Sequence, residues 1–175
     1  MQKIGNDILF SASDLVHFLE CEHLSALDKI DLVTPLPRTA DDDGALVFQA
    51  RGYEHESLYL SKLSNTGMSI KDLSEVRGSP STKATATLDA MTTGADIIFQ
   101  ATLLSTNLLG HPDFLRKVNT PSRFGAFSYE VVDTKLARHP KPSFIIQLCF
   151  YSELLSELQG LRPRSMHVVL GDGSD

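Results

Sequence analysis

Three strand-like runs follow one another over residues 95–104, 107–118 and 126–137, with helical patterns before them and one after. No other feature limits the fold of this chain as much. The order is helices, three strands, a helix and then a strand, and the three runs are read as neighbours in one sheet. In the third run Phe127, Tyr129, Val131, Asp133 and Lys135 share one face, because strand side chains repeat every second residue. A carboxylate and an ammonium thus leave the sheet side by side. A second carboxylate, Asp113, belongs to the neighbouring run, in Gly110-His-Pro-Asp113. Two carboxylates can hold a divalent cation, and a lysine beside them can orient or deprotonate water. That set suits phosphodiester hydrolysis.

The helices have legible ends. Ser11-Ala-Ser-Asp14 predicts a capped start, with Leu15, Phe18, Leu19 and Leu27 as an apolar stripe on one helix reaching about Asp28. Residues 33–44 carry two Pro and then Asp-Asp-Asp-Gly, a loop. Asp41, Asp42 and Asp43 match part of a calcium loop, but the rest of that pattern is missing and a solvated acidic turn is the better reading. A second helix is expected over 49–64, then a turn at Asn65-Thr-Gly67 and a short strand. A third covers 81–91 and stops at Gly94. The last covers 142–159, opening on Pro142 and closing at Gly160, with a final strand at 166–170.

Polar residues stand where apolar ones belong. At 100° per residue, Tyr53, Tyr59, Leu60 and Leu63 form the stripe of the second helix. Glu56 falls in its middle and His55 at its edge. A carboxylate there is costly unless it is paired or bound to metal. The bland alternatives are a salt-bridged Glu56 and a hydrogen-bonded structural His55. In the last helix Phe144, Leu148, Tyr151, Leu154, Leu155 and Leu158 share a face with Gln147 inside it. Gln147 either bonds to its neighbours or faces the site. Glu130 points away from Asp133, and Gly110 leaves backbone room ahead of Asp113.

With 175 residues the chain is read as one domain, 1–175, able to bury roughly 70% of its surface. No apolar run approaches the about 20 residues that span a bilayer, and the first residues hold no apolar signal core, so the expectation is a cytoplasmic protein without a membrane partner. Cys21 and Cys149 fit no metal spacing and are expected to be buried, reduced thiols. The abrupt Gly-Asp-Gly-Ser-Asp ending fits a domain excised from a longer protein. Net charge is −6, unevenly spread. Residues 1–56 hold 4 Lys/Arg against 11 Asp/Glu, whereas residues 113–164 hold 8 against 5. The basic excess (Arg116, Lys117, Arg123, Lys135, Arg138, Lys141, Arg162 and Arg164) is expected around the site, where it would attract a phosphate chain.

Taken in order, Gly52-Tyr-Glu-His55-Glu56, Gly110-His-Pro-Asp113, Asp133-Thr-Lys135 and Gln147-Leu-Cys-Phe-Tyr151 resemble the RecB-like nucleases of the PD-(D/E)XK superfamily. The opening Leu-Phe-Ser-Ala-Ser-Asp-Leu segment, running to Cys21, looks like that group's first helix. The resemblance implies an α/β fold with a restriction-endonuclease-like core, a central mixed β-sheet flanked by helices. It implies Mg²⁺ or Mn²⁺ held by His55, Asp113, Asp133 and the Thr134 carbonyl. Glu56 would assist and Lys135 would act on the attacking water. Gln147, Tyr151 and Arg138 would serve the site or the DNA. An iron–sulfur cluster is not expected, because three later cysteines are missing. The implied activity is a metal-dependent deoxyribonuclease acting on ends or single strands in DNA repair or processing, with a fused or associated helicase module as partner. The alternatives are a non-catalytic DNA-binding scaffold of the same fold and a metal hydrolase of small phosphoesters. No GxSxG, Walker A, HExxH or GxGxxG pattern appears.

Overall fold

The computed structural model describes residues 1–37 and 43–171. Its centre is a five-stranded mixed sheet in the order β3 (Ile70–Asp72), β4 (Ile97–Phe99), β7 (Phe114–Val118), β8 (Ser128–Thr134), β9 (His167–Val169). The outer pairs, β3 with β4 and β8 with β9, are parallel, and the inner pairs are antiparallel. Two small hairpins complete the β structure: β1 (Gln2–Ile4) with β2 (Asp7–Leu9), and β5 (Leu103–Leu104) with β6 (Leu109–Gly110). The helices are α1 (Ala12–Glu20), α2 (Glu22–Asp31), α3 (Asp43–Ser64), α4 (Pro80–Thr93) and α5 (Pro142–Gln159). No helix among the described residues is long and apolar enough to cross a membrane.

Each face of the sheet has its own core. Ile98, Leu115, Tyr129 and Val131 pack with Ala90 and Met91 of α4 and with Leu148, Tyr151, Leu154 and Leu155 of α5. Ile97, Phe99, Phe114 and Val132 face Tyr59, Leu60 and Leu63 of α3. Alternation along β8 thus sends Val131 and Val132 into different cores. Because β9 is only three residues long, the first half of β8 lacks a strand on that side. The buried Gln159 amide takes its place, accepting from the Tyr129 N–H at 2.8 Å and donating to the Tyr129 carbonyl at 3.2 Å. Backbone groups that would be stranded in the interior are satisfied by a side chain.

Several expectations need correction. The segment read as one helix to Asp28 is two, α1 and α2, broken at Cys21, whose backbone is extended (φ −161°, ψ 106°). Leu15, Phe18 and Leu19 form no buried stripe there: all three are exposed, as is Tyr53 on α3. Both cysteines are free but exposed, not buried. The runs 95–104 and 107–118 are each interrupted, the first at Gln100, which takes a left-handed φ of 55°. The bend turns the chain out of the main sheet into the β5–β6 hairpin, a step that alternation could not reveal. The hairpin β1–β2 was not expected at all. α3 begins at Asp43, earlier than residue 49. Asp41, Asp42 and the last four residues lie outside the described residues, so the acidic-turn reading rests on the sequence. By contrast α5 has the expected bounds, and α4 stops at Gly94 with φ 78° as its spacing predicts.

Candidate active site

The end of β8 organises the site. The register pairs Phe114 with Val132, so the residue before Phe114, Asp113, comes opposite Asp133. Thr134 joins the two strands again: its N–H and its hydroxyl both donate to Asp113 Oδ2, at 2.7 Å each. Asp133 is 1% exposed and forms an ion pair with Lys135, two residues on. Its Oδ2 faces the Lys135 ammonium and has no other partner among the described residues. Burial first, and then the Asp113 carboxylate, push the Asp133 carboxyl above its usual range, while the Lys135 ammonium pulls it back. The Lys135 N–H donates to the Val169 carbonyl at 2.8 Å, and its ammonium lies 5.6 Å from the centre of the Phe144 ring.

From the other core, α3 delivers Glu56. It is buried, and its carboxyl is pushed up to about 7, chiefly by burial and next by Asp113, with a smaller push from Asp133. Helical phase places it on the sheet side, as its position on the stripe predicts. The partner that makes this burial tolerable is Gln100, whose Nε2 donates to Glu56 Oε1. The Gln100 N–H also donates to the Asp113 carbonyl at 2.7 Å. One residue therefore holds the segments bearing two of the three carboxylates. Gln100 was missed from the sequence, although a signal exists: it is a polar residue ending the apolar run Ile97-Ile98-Phe99. His55, one residue before Glu56, has Nε2 3.3 Å from the Val169 carbonyl. A carbonyl only accepts, so Nε2 carries the proton and Nδ1 is left as the ligand atom. Gly52, a turn earlier, faces open space.

On the opposite side Gln147 Nε2 donates to the Tyr151 hydroxyl at 2.9 Å. Burial, and to a lesser degree Asp133 and Asp113, push that phenol up to about 12. Tyr151 is therefore the link between Gln147 and the carboxylates. Its ring and Leu154 lie against Gly110, where an added Cβ would sit 2.9 Å from a carbon of each. Arg138 is exposed.

The structure brings Asp113, Asp133, Lys135, Glu56 and Thr134 together, with His55 joined to them through Val169. It does not close them to metal-shell spacing. Among the described residues, the group of three carboxylate or imidazole ligand atoms within 4.8 Å of one another is Asp14, His17 and Asp28, elsewhere in the fold. There Asp14 is already engaged by the Met1 amino group and by Ser11. Nor do the basic residues form one band around the site. Lys117 pairs with Asp96, Arg162 with Glu153, and Arg123 reaches the last carbonyls of α5. Arg116 and Glu130 both engage His167. Lys135 and Lys141 flank the Phe144 ring, at 5.6 and 5.9 Å. Comparison of the chain with family models, curated proteins and solved structures found no match.

Proposed function

We propose that the protein is a metal-dependent deoxyribonuclease built on a restriction-endonuclease-like core. One observation carries this reading: Asp113 and Asp133 meet across two central strands, Asp133 is buried, and the Lys135 ammonium is paired with it. A buried carboxylate raised by a like charge is expensive to keep, and such groups gather at functional sites.

The residues fit a hard divalent cation. Carboxylate oxygens suit Mg²⁺ or Mn²⁺, and Asp133 Oδ2, whose one partner among the described residues is the Lys135 ammonium, would be a ligand atom once that ion pair opens. Asp113, Asp133, the His55 Nδ1 and the Thr134 carbonyl would hold it, with Glu56 assisting. When bound, the cation would neutralise charge developing at phosphorus and lower the pKa of its water. The chain's own residues would do the rest. Thr134 fixes the Asp113 carboxylate, Gln100 fixes Glu56, and Lys135 stands where it can orient water or take its proton. Gln147 would steady the Tyr151 hydroxyl, and Arg138 and Lys141 would meet the strand from solvent.

A non-catalytic DNA-binding module has one observation in its favour: Lys135 already neutralises Asp133, so the cluster is self-consistent without metal. Incubation with Mn²⁺ and labelled single-stranded and duplex DNA separates the readings. Cleavage that chelation abolishes supports the nuclease. Binding without cleavage supports the scaffold, and cleavage of small phosphoesters alone removes both. Cytoplasmic location, action on DNA ends and a helicase partner belong to the same proposal.

A further inference from the structure

Behind Gln100 lies a second polar space. The Gln100 amide meets Glu56, and the same residue lines a cleft of about 60 Å³ with Ser74, Lys83, Thr102 and His111. That volume holds several waters and so accommodates the oxygens of a phosphate. Its walls are tied together. The Thr87 hydroxyl of α4 accepts from the Thr102 N–H at 2.9 Å and donates to the Lys83 carbonyl at 3.2 Å. Thr102 Oγ1 is 3.3 Å from His111 Nδ1. The next residues after His111 are Pro112 and Asp113, so the cleft and the carboxylates share a wall and a loop.

The charge in the cleft is uncompensated. Lys83 is half-buried, has no carboxylate within salt-bridge distance among the described residues, and is close enough to His111 to act on it electrostatically. No Asp or Glu lines the space. An ammonium on the same wall as a hydroxyl and an imidazole, with no carboxylate lining the space, is complementary to an anionic oxygen.

We infer that this cleft is a phosphate subsite, in which the Lys83 ammonium and the Thr102 hydroxyl hold the non-bridging oxygens of a phosphodiester flanking the one cleaved. The inference rests on the nuclease reading and adds to it a place for the neighbouring nucleotide. Gln100 then sets the spacing between the held phosphate and the cleaved one, since it touches both sites. The subsite fixes the strand relative to the carboxylates and takes no part in the chemistry.

The test uses the full chain, a labelled single-stranded oligodeoxynucleotide, and Lys83→Ala and Lys83→Arg. Binding is followed by anisotropy with chelator over a salt series. Lys83→Ala should weaken binding about 10-fold at low salt and reduce the log–log salt slope by about 0.7, one phosphate on a single strand. Lys83→Arg should keep both. Neutral methylphosphonates placed one at a time along the strand should reveal one position that costs wild type affinity and costs Lys83→Ala nothing. With Mn²⁺, KM should rise while kcat stays within about two-fold. Lys83→Ala that matches wild type in slope and KM, in a protein that cleaves DNA, overturns the subsite and leaves the nuclease standing. A wild type that neither binds nor cleaves DNA overturns both. Binding of inorganic phosphate through Lys83, with no methylphosphonate-sensitive position, assigns the cleft to a free anion and overturns the strand assignment.

Discussion

The Gln100 amide donates to the buried Glu56 carboxylate from a backbone in the left-handed region, φ 55°. Non-glycine residues hold such a φ at a cost of about 1–3 kcal/mol, which persists only where surrounding structure enforces it. Here the same bend lets the Gln100 N–H reach the Asp113 carbonyl. Gln100→Ala keeps the bend and deletes the amide. It should reduce Mn²⁺ affinity and cleavage by about 10-fold, the scale of one hydrogen bond to a charged group. Gln100→Gly, which relieves the backbone, should lose the same activity while recovering stability. Equal activity in wild type and Gln100→Ala would show that Glu56 needs no support.

Glu56 also sets a pH dependence. Its carboxyl in the fold titrates near 7, against an ordinary 4.5. Between those values the folded state binds more protons than the unfolded one, so stability is greatest at the acid end and declines as pH rises through about 7. Asp133, raised by burial and Asp113, acts in the same direction. In chelator, urea denaturation from about pH 5 to pH 8 should show a loss of about 1–3 kcal/mol attributable to Glu56, and Glu56→Gln should flatten the curve. Mn²⁺ should restore stability at the alkaline end by binding the folded state. A wild-type curve that rises over this range contradicts the burial assigned to Glu56.

What could be read from the sequence follows from which forces act locally. The bounds of α5 were legible because Pro142 and Gly160 punctuate it, and Asp133 beside Lys135 because strand alternation is strict. Glu56 was legible because a carboxylate on an apolar stripe is conspicuous. The seating of the hairpin β1–β2 and the bend at Gln100 depend on tertiary bonds such as Phe10 to Asn107 and Gln100 to Asp113, which no local pattern encodes. The basic band failed for a similar reason. Counting charges along 113–164 could not show that Lys117, Arg123 and Arg162 already have structural partners.

Gly110 offers a test of the packing under the site. An added Cβ would approach Leu154 Cδ1 and Tyr151 Cδ1 to 2.9 Å each, both on a buried helix face. Neither side chain is free to swing away, so Gly110→Ala should push α5 outward and cost about 1–3 kcal/mol. Tyr151 would move with it, so Mn²⁺-dependent cleavage should fall more than the stability loss alone explains. Chemical denaturation beside an assay well below the melting temperature separates the two. An unaltered midpoint means that α5 has more freedom than its burial indicates.

Asp133 and Lys135 should have opposite signatures if they form a metal site, and this would separate it from a structural ion pair. Asp133→Asn removes the buried charge and keeps the shape, so Mn²⁺ binding should disappear in calorimetry. The fold should survive, because the desolvation that raises this carboxyl is relieved as well. Lys135→Ala removes a positive charge next to the carboxylates and should leave metal affinity intact or raise it. It should nevertheless lower cleavage by about 10²-fold or more, the loss expected when a positioned proton-transfer or charge-stabilising group is deleted. A structural ion pair predicts the reverse pattern. Lys135→Ala would then destabilise the fold, leaving Asp133 buried and unpaired, while neither substitution would change metal binding. Measured together, metal titration, unfolding and cleavage of the two variants therefore distinguish a nuclease that uses this pair from a scaffold that only folds around it.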